Sequence, residues 1–129
     1  MRPALATDDG SAAAEFVMVG ALLTVLTLSV LQLAFALHVR NTIIDAAAEG
    51  ARYSSLAGNG LPDGVDRTEQ LIAAAVGDGY AADVTARYSA HLGYDAVAVT
   101  VRTTLPLLGL AGLDGTLEVT GHAAREVVR

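Results

Sequence analysis

Cysteine, tryptophan and lysine are absent from the 129 residues. Without cysteine there is no disulfide framework and no thiolate metal site, so an exported domain would hold together by packing and partners alone. Without lysine, all eight basic residues are arginine; set against fourteen acids they leave a formal net charge of −6, which argues against a nucleic-acid surface. Proline is confined to Pro3, Pro62 and Pro106, so no proline interrupts residues 11–57.

Catalytic signatures are missing as well. No HExxH, GxSxG, P-loop or dinucleotide fingerprint occurs. His38, His91 and His122 have no cysteine partner and no common helix face, and read as interfacial or solvent-exposed side chains rather than ligands. Gly58-Asn59-Gly60 is a helix stop, not a phosphate cradle. The expectation is a protein that is not an enzyme, with no cofactor, no metal and no small-molecule substrate.

Charge is also lacking where it matters most. The 22 residues from Phe16 to Leu37 carry none, and 13 of them are Leu, Val or Phe. At about 1.5 Å per residue such a run crosses a hydrocarbon core of roughly 30 Å. Its Leu, Val and Phe residues favour insertion by on the order of 4 to 8 kcal/mol as an upper bound, from which Thr24, Thr27, Ser29 and Gln32 subtract. A buried helix of a soluble domain would need a polar face that this run does not have. A cleaved secretory signal ending at Ala34-Phe35-Ala36 would have too long an apolar region and too acidic a flank. A single membrane span over about residues 16–38 is therefore expected. Arg2 stands before it and Arg40 and Arg52 after it, so basic residues alone do not orient it with the C-terminal part exported.

The remaining chain is small. Residues 1–10 end in Asp8-Asp9-Gly10 and read as a disordered leader, with Ser11 as a plausible helix N-cap. The pattern then continues past the apolar run. Ile43, Ile44, Ala47, Ala48 and Ala51 take one side of a helix, while Asp45, Glu49 and Arg52 take the other, with Glu49 and Arg52 spaced to interact at i,i+3. One helix over 11–57, about 70 Å long, is predicted. Gly58-Asn59-Gly60 and Pro62-Asp63-Gly64 break it, and a second helix is predicted over Val65–Val76 with Asp66 in its first turn.

From Asp83 the period changes to two. Val84, Ala86, Tyr88 and Ala90 alternate with polar residues, as do Val97, Val99, Val101, Thr103 and Leu105, and then Leu117, Val119, Gly121 and Ala123. Three half-buried strands follow, the first two joined as a hairpin through His91-Leu92-Gly93-Tyr94. The fold class is α+β, with a small three-stranded antiparallel sheet in the domain at 58–129. Such a sheet needs cover, and the long helix beyond the membrane is the natural candidate. The link between the last two strands is apolar for a loop. Pro106, Leu107, Leu108, Leu110 and Leu113 either fold under the sheet as local core or form a loop for a partner subunit or the bilayer surface.

Glu15 stands out because an ionised carboxylate beside hydrocarbon is expensive and is a functional hypothesis by default. The competing reading is a solvated headgroup-level carboxylate in the first helical turns. On the same helix Gly20, Thr24 and Thr27 share a face; Gly20-x3-Thr24 is a small-x3-small pair that suits close helix packing, or simply small residues that membrane helices tolerate.

Gly10 followed by Glu15-Phe16 and an apolar helix resembles the class III signal of type IV pilin-like proteins, which a prepilin peptidase cuts after the glycine. Joined to Asn41 and to Ala46-Ala47-Ala48-Glu49-Gly50-Ala51-Arg52, with a late strand closing on Ala123-Ala124-Arg125-Glu126, the chain resembles the TadE-like family of the tight-adherence (Tad, or Flp-type) pilus system. The leader departs from many such leaders in carrying only Arg2 and in placing Asp8-Asp9 before the cut. The resemblance implies a pilin-like (pseudopilin) subunit in the cytoplasmic membrane or a surface pilus, leader inside and strands outside. It implies processing at Gly10, Ser11, Glu15 and Phe16, with Glu15 setting subunit register. The implied partners are the membrane, the prepilin peptidase, other pilins or pseudopilins and the pilus assembly platform. The alternative is a generic single-pass membrane protein whose exported domain binds another envelope partner.

Overall fold

The computed structural model describes the backbone of residues 3–80, 83–105 and 115–125. Two helices and three strands follow in order: α1 (Pro3–Ser55), α2 (Leu61–Val76), a 3-10 turn (Asp78–Tyr80), β1 (Asp83–His91), β2 (Tyr94–Leu105) and β3 (Gly115–Ala124). The α+β class is as expected. Contacts divide the chain into two units, residues 1–35 and 36–129, with α1 contributing to both.

In the first unit no other described residue covers the apolar side chains of α1. Phe16, Met18, Leu22 and Leu28 are all exposed, as apolar side chains are when nothing but lipid would cover them. The helix starts at Pro3 rather than near Ser11, so Ser11 is an interior position and not an N-cap in this chain. The physical reason is that proline suits the first helical turn, where its missing N–H would have no partner, and Ala4-Leu5-Ala6 are good helix formers.

The second unit is built on the last turns of α1. Val39, Ile43, Ala46, Ala47 and Ala51 are buried and form one core with Ile72 of α2, Val97, Val99 and Val101 of β2, and Val119 of β3. These α1 positions recur at three- and four-residue spacing, the stripe a helix buries. Ile44 and Ala48, expected among them, are only half-buried.

α1 ends at Ser55, within two residues of the expected stop. α2 begins at Leu61, four residues before the predicted Val65. Pro62-Asp63-Gly64 starts a helix rather than breaking one: Pro62 occupies the first turn, and the Asp63 carboxylate accepts the Gly60 N–H at 2.7 Å. Asp63, not Asp66, is the acid of the first turn.

The sheet order is β1-β2-β3, antiparallel throughout, with Ala86 opposite Val99 and Val99 opposite Gly121. The β1–β2 hairpin turns on two residues, Leu92 and Gly93, with φ of 53° and 83°. Positive φ at both positions is the I′ pattern whose twist matches that of the strands. Alternation holds along β3 and along β2 from Val99 to Thr104, but Ala96 and Ala98 are buried together with Val97 and Val99. At the hairpin end of β1 it fails, since Tyr88 is half-exposed and Ala90 exposed.

Candidate functional site

Gly10, Ser11, Glu15 and Phe16 lie consecutively along α1, all exposed. Phe16 is 80% exposed, and among the described residues no ion pair or hydrogen bond engages Glu15. Around Gly20 the surface is open: a side chain there would meet no atom within 4 Å. The hydroxyls near it are occupied within the helix. Thr24 Oγ1 donates to the Gly20 carbonyl and Thr27 Oγ1 to that of Leu23, both at 2.8 Å, and Ser29 Oγ to that of Val25 at 2.7 Å. Each of these three hydroxyls is thus satisfied without water, as hydrocarbon demands. What Gly20, Thr24 and Thr27 offer a neighbour is a low, smooth surface rather than free donors. Pro106, Leu107, Leu108, Leu110 and Leu113 lie outside the described residues.

The stretch Ala46–Arg52 divides by role. Ala46, Ala47, Gly50 and Ala51 are buried because two elements approach α1 closely. A Cβ on Gly50 would lie 2.7 Å from the Gly64 carbonyl oxygen, and one on Gly64 would lie 2.6 Å from that of Gly50. The helices cross glycine to glycine, with Thr68 Oγ1 donating to the Gly64 carbonyl at 2.8 Å and standing 3.4 Å from that of Ala46. On another side Gly121 of β3 touches the α1 backbone, where a Cβ would come within 2.6 Å of the Ala47 carbonyl carbon.

Packing does not account for Glu49 and Arg52. They form no ion pair with each other; among the described residues the one ion pair is Arg102–Glu118 across the outer sheet face, at 2.9 Å. Spacing at i,i+3 permits the Glu49–Arg52 contact but contributes only a few tenths of a kcal/mol, roughly 0.2–0.5, too little to fix two long side chains, one half-buried and one exposed. Both line a groove between α1 and α2, with Asp45 beside them.

The outer face of the sheet holds an arrangement that the sequence reading missed. His91 of β1 and His122 of β3 stack across β2, ring centroids 4.2 Å apart and planes 11° apart. They meet because His91 pairs with Tyr94 and His122 with Ala98, so between those two positions the same face of β2 carries only the small side chain of Ala96, over which the rings can close. The same rings explain why Ala96 and Ala98 are buried on a face expected to be solvated. Strand parity, once the hairpin register was known, was the signal that could have paired them. Desolvation holds the His122 pKa below its ordinary 6.5, with His91 and Arg87 nearby adding repulsion of like charge. On the inner side, the Arg125 guanidinium lies 4.7 Å from the Tyr88 ring centre. Among the described residues no group of three or more His, Asp or Glu side chains is placed to hold a metal.

Together these features define a chain with one N-terminal helix long and apolar enough to cross a membrane, followed by a small α+β domain packed on the end of that helix. Residues 10–52, a third of the chain, match the model of the TadE-like protein family, so the resemblance read from the sequence holds over that stretch. No curated protein and no solved structure matches the chain.

Proposed function

We propose that this chain is a pilin-like (pseudopilin) subunit of a Tad/Flp-type pilus, a non-catalytic component of pilus biogenesis, adhesion or secretion. It is anchored by α1 with its N-terminus in the cytoplasm and its α+β domain exported, and a prepilin peptidase processes it after Gly10. The observation that carries the reading is the placement of Glu15. It is a lone carboxylate at the head of a 22-residue uncharged helical run, five positions after Gly10, within the family match. Cleavage frees an α-amine on Ser11. In a bundle of parallel copies, that amine on one subunit pairs with the Glu15 carboxylate of its neighbour. Such a pair contributes little to net stability, since two charges leave water, but it penalises every other register.

Mapping the N-terminus of the membrane-extracted protein tests this directly. The expected species begins at Ser11, and Gly10→Ala abolishes it. A second reading draws on the helix that runs unbroken from Pro3 through Gly10, which leaves no extended segment for a peptidase. In that reading the chain stays full length as a single-pass anchor for another envelope partner. A native molecule still carrying residues 1–10, stable without pilus components, would establish it and reject processing.

A further inference from the structure

Between Ala36 and Ser55, α1 carries four charged residues, Arg40, Asp45, Glu49 and Arg52, and none has an ion-pair partner among the described residues. Their placement is uneven. A groove of about 470 Å³ runs between the two helices, lined by Thr42, Asp45, Glu49 and Arg52 of α1 and by Leu71 and Ala75 of α2. Arg40 is exposed and forms no part of that wall. At about 100° per residue it stands roughly 140° around the helix from Asp45 and roughly 180° from Glu49. One molecule therefore offers a groove with two carboxylates on one flank and a free guanidinium on the other. Opposite flanks of one helix do not meet, so the complement is satisfied by a second copy, in a head-to-tail contact that can repeat without closing.

We propose that Arg40 of one copy docks in the α1–α2 groove of the next copy, against Asp45, with Glu49 one turn beyond. The proposal rests on the reading of the chain as an assembling subunit and adds a second rung to it. Pairing the Ser11 amine with a neighbour's Glu15 offsets two parallel helices by four residues, about 6 Å. The same offset brings Arg40 level with position 44 of that neighbour, one residue short of Asp45. Leu71 and Ala75 give the methylene stem of the arginine an apolar wall, while its guanidinium meets the carboxylates. The competing occupant for Arg40 is a lipid phosphate at the edge of the apolar run, which would leave the groove empty.

The natural absence of cysteine makes the contact testable in the full-length protein in its membrane. In an Arg40→Cys/Asp45→Cys double variant the two Cα atoms of one helix are more than about 7 Å apart, too far to bridge within a chain. Mild oxidation is expected to give a ladder of linked multimers from the double variant and unlinked chain from either single variant. Absence of the ladder at normal membrane levels overturns the proposal, and so does equal dimer yield from Asp45→Cys alone, which would signal a symmetric contact. With the charges retained, Arg40→Glu should lower co-capture of a differently tagged copy about tenfold, and Arg40→Glu/Asp45→Arg should restore it. Loss without restoration assigns Arg40 to the lipid and also overturns the proposal. The N-terminus mapped in the same membranes reports separately on processing. A ladder on uncleaved chains supports the groove contact and removes the pilin reading; cleaved chains with no ladder do the reverse.

Discussion

Gly50 and Gly64 show how a single absent methyl group can decide a fold. At their crossing the backbones of α1 and α2 come so close that either Cβ would overlap the other helix. Forcing a side chain there separates two packed elements, which typically costs about 1–3 kcal/mol and sometimes more. Gly50→Val is therefore expected to destabilise the domain by about 2 kcal/mol or more, seen as a lowered thermal midpoint of the detergent-extracted protein. Gly20→Ala is the control, since its Cβ meets only open space, and it should leave the midpoint unchanged. Gly50 could be recognised in the sequence as part of a family stretch, but its role could not. A glycine inside a helix reads as a weak point until the partner helix that needs the space is located.

At the scale of elements, periodicity carried the most information where one face alone is buried. β3 and the second half of β2 follow their alternation, and the α1 stripe from Val39 to Ala51 follows its three- and four-residue spacing. Failures came where a local motif has two uses. Pro62-Asp63-Gly64 can stop one helix or start the next, and only the Asp63 carboxylate on the Gly60 N–H decides for starting. The stacked histidines were illegible for a different reason: residues 91 and 122 meet only through a register that two successive strand pairings set.

That pair yields a prediction at the same scale. The His122 pKa is lower in the folded chain than its ordinary 6.5, so the unfolded chain binds more protons as the medium acidifies. The stabilising contribution is complete above about 6.5 and is lost as pH falls through the folded value. Thermal midpoints measured between pH 7.5 and pH 5 should decline, and His122→Asn should flatten that decline. An equally steep decline in the variant would show that the pair does not govern it.

For the whole molecule, the spacing of Glu15 from Gly10 carries the functional reading, and geometry within one copy adds little to it. The carboxylate is exposed and has no ion-pair partner among the described residues, as a group reserved for a neighbour would be. Glu15→Ala should leave the mature N-terminus at Ser11 while reducing incorporation into pili at least tenfold, scored by immunoblot of sheared filaments; the loss is of register, not of a folded subunit. Normal piliation by the variant would reject that role. The general architecture was legible because an uncharged run, a helical stripe and alternating strands are each a one-dimensional pattern. The groove beside Glu49 and Arg52 was not, because it needs the second helix in place.

Val39 and Ile43, both wholly buried, belong to the same helix as the apolar run. The α+β domain therefore begins inside the long apolar helix itself, with no loop between Ala36 and Ser55 at which a protease could trim it free. Shedding by a cut after Ser55 would strip the remainder of a wall of its interior and leave it prone to aggregate. Only severance at or before residue 36 would leave the second unit with its interior complete.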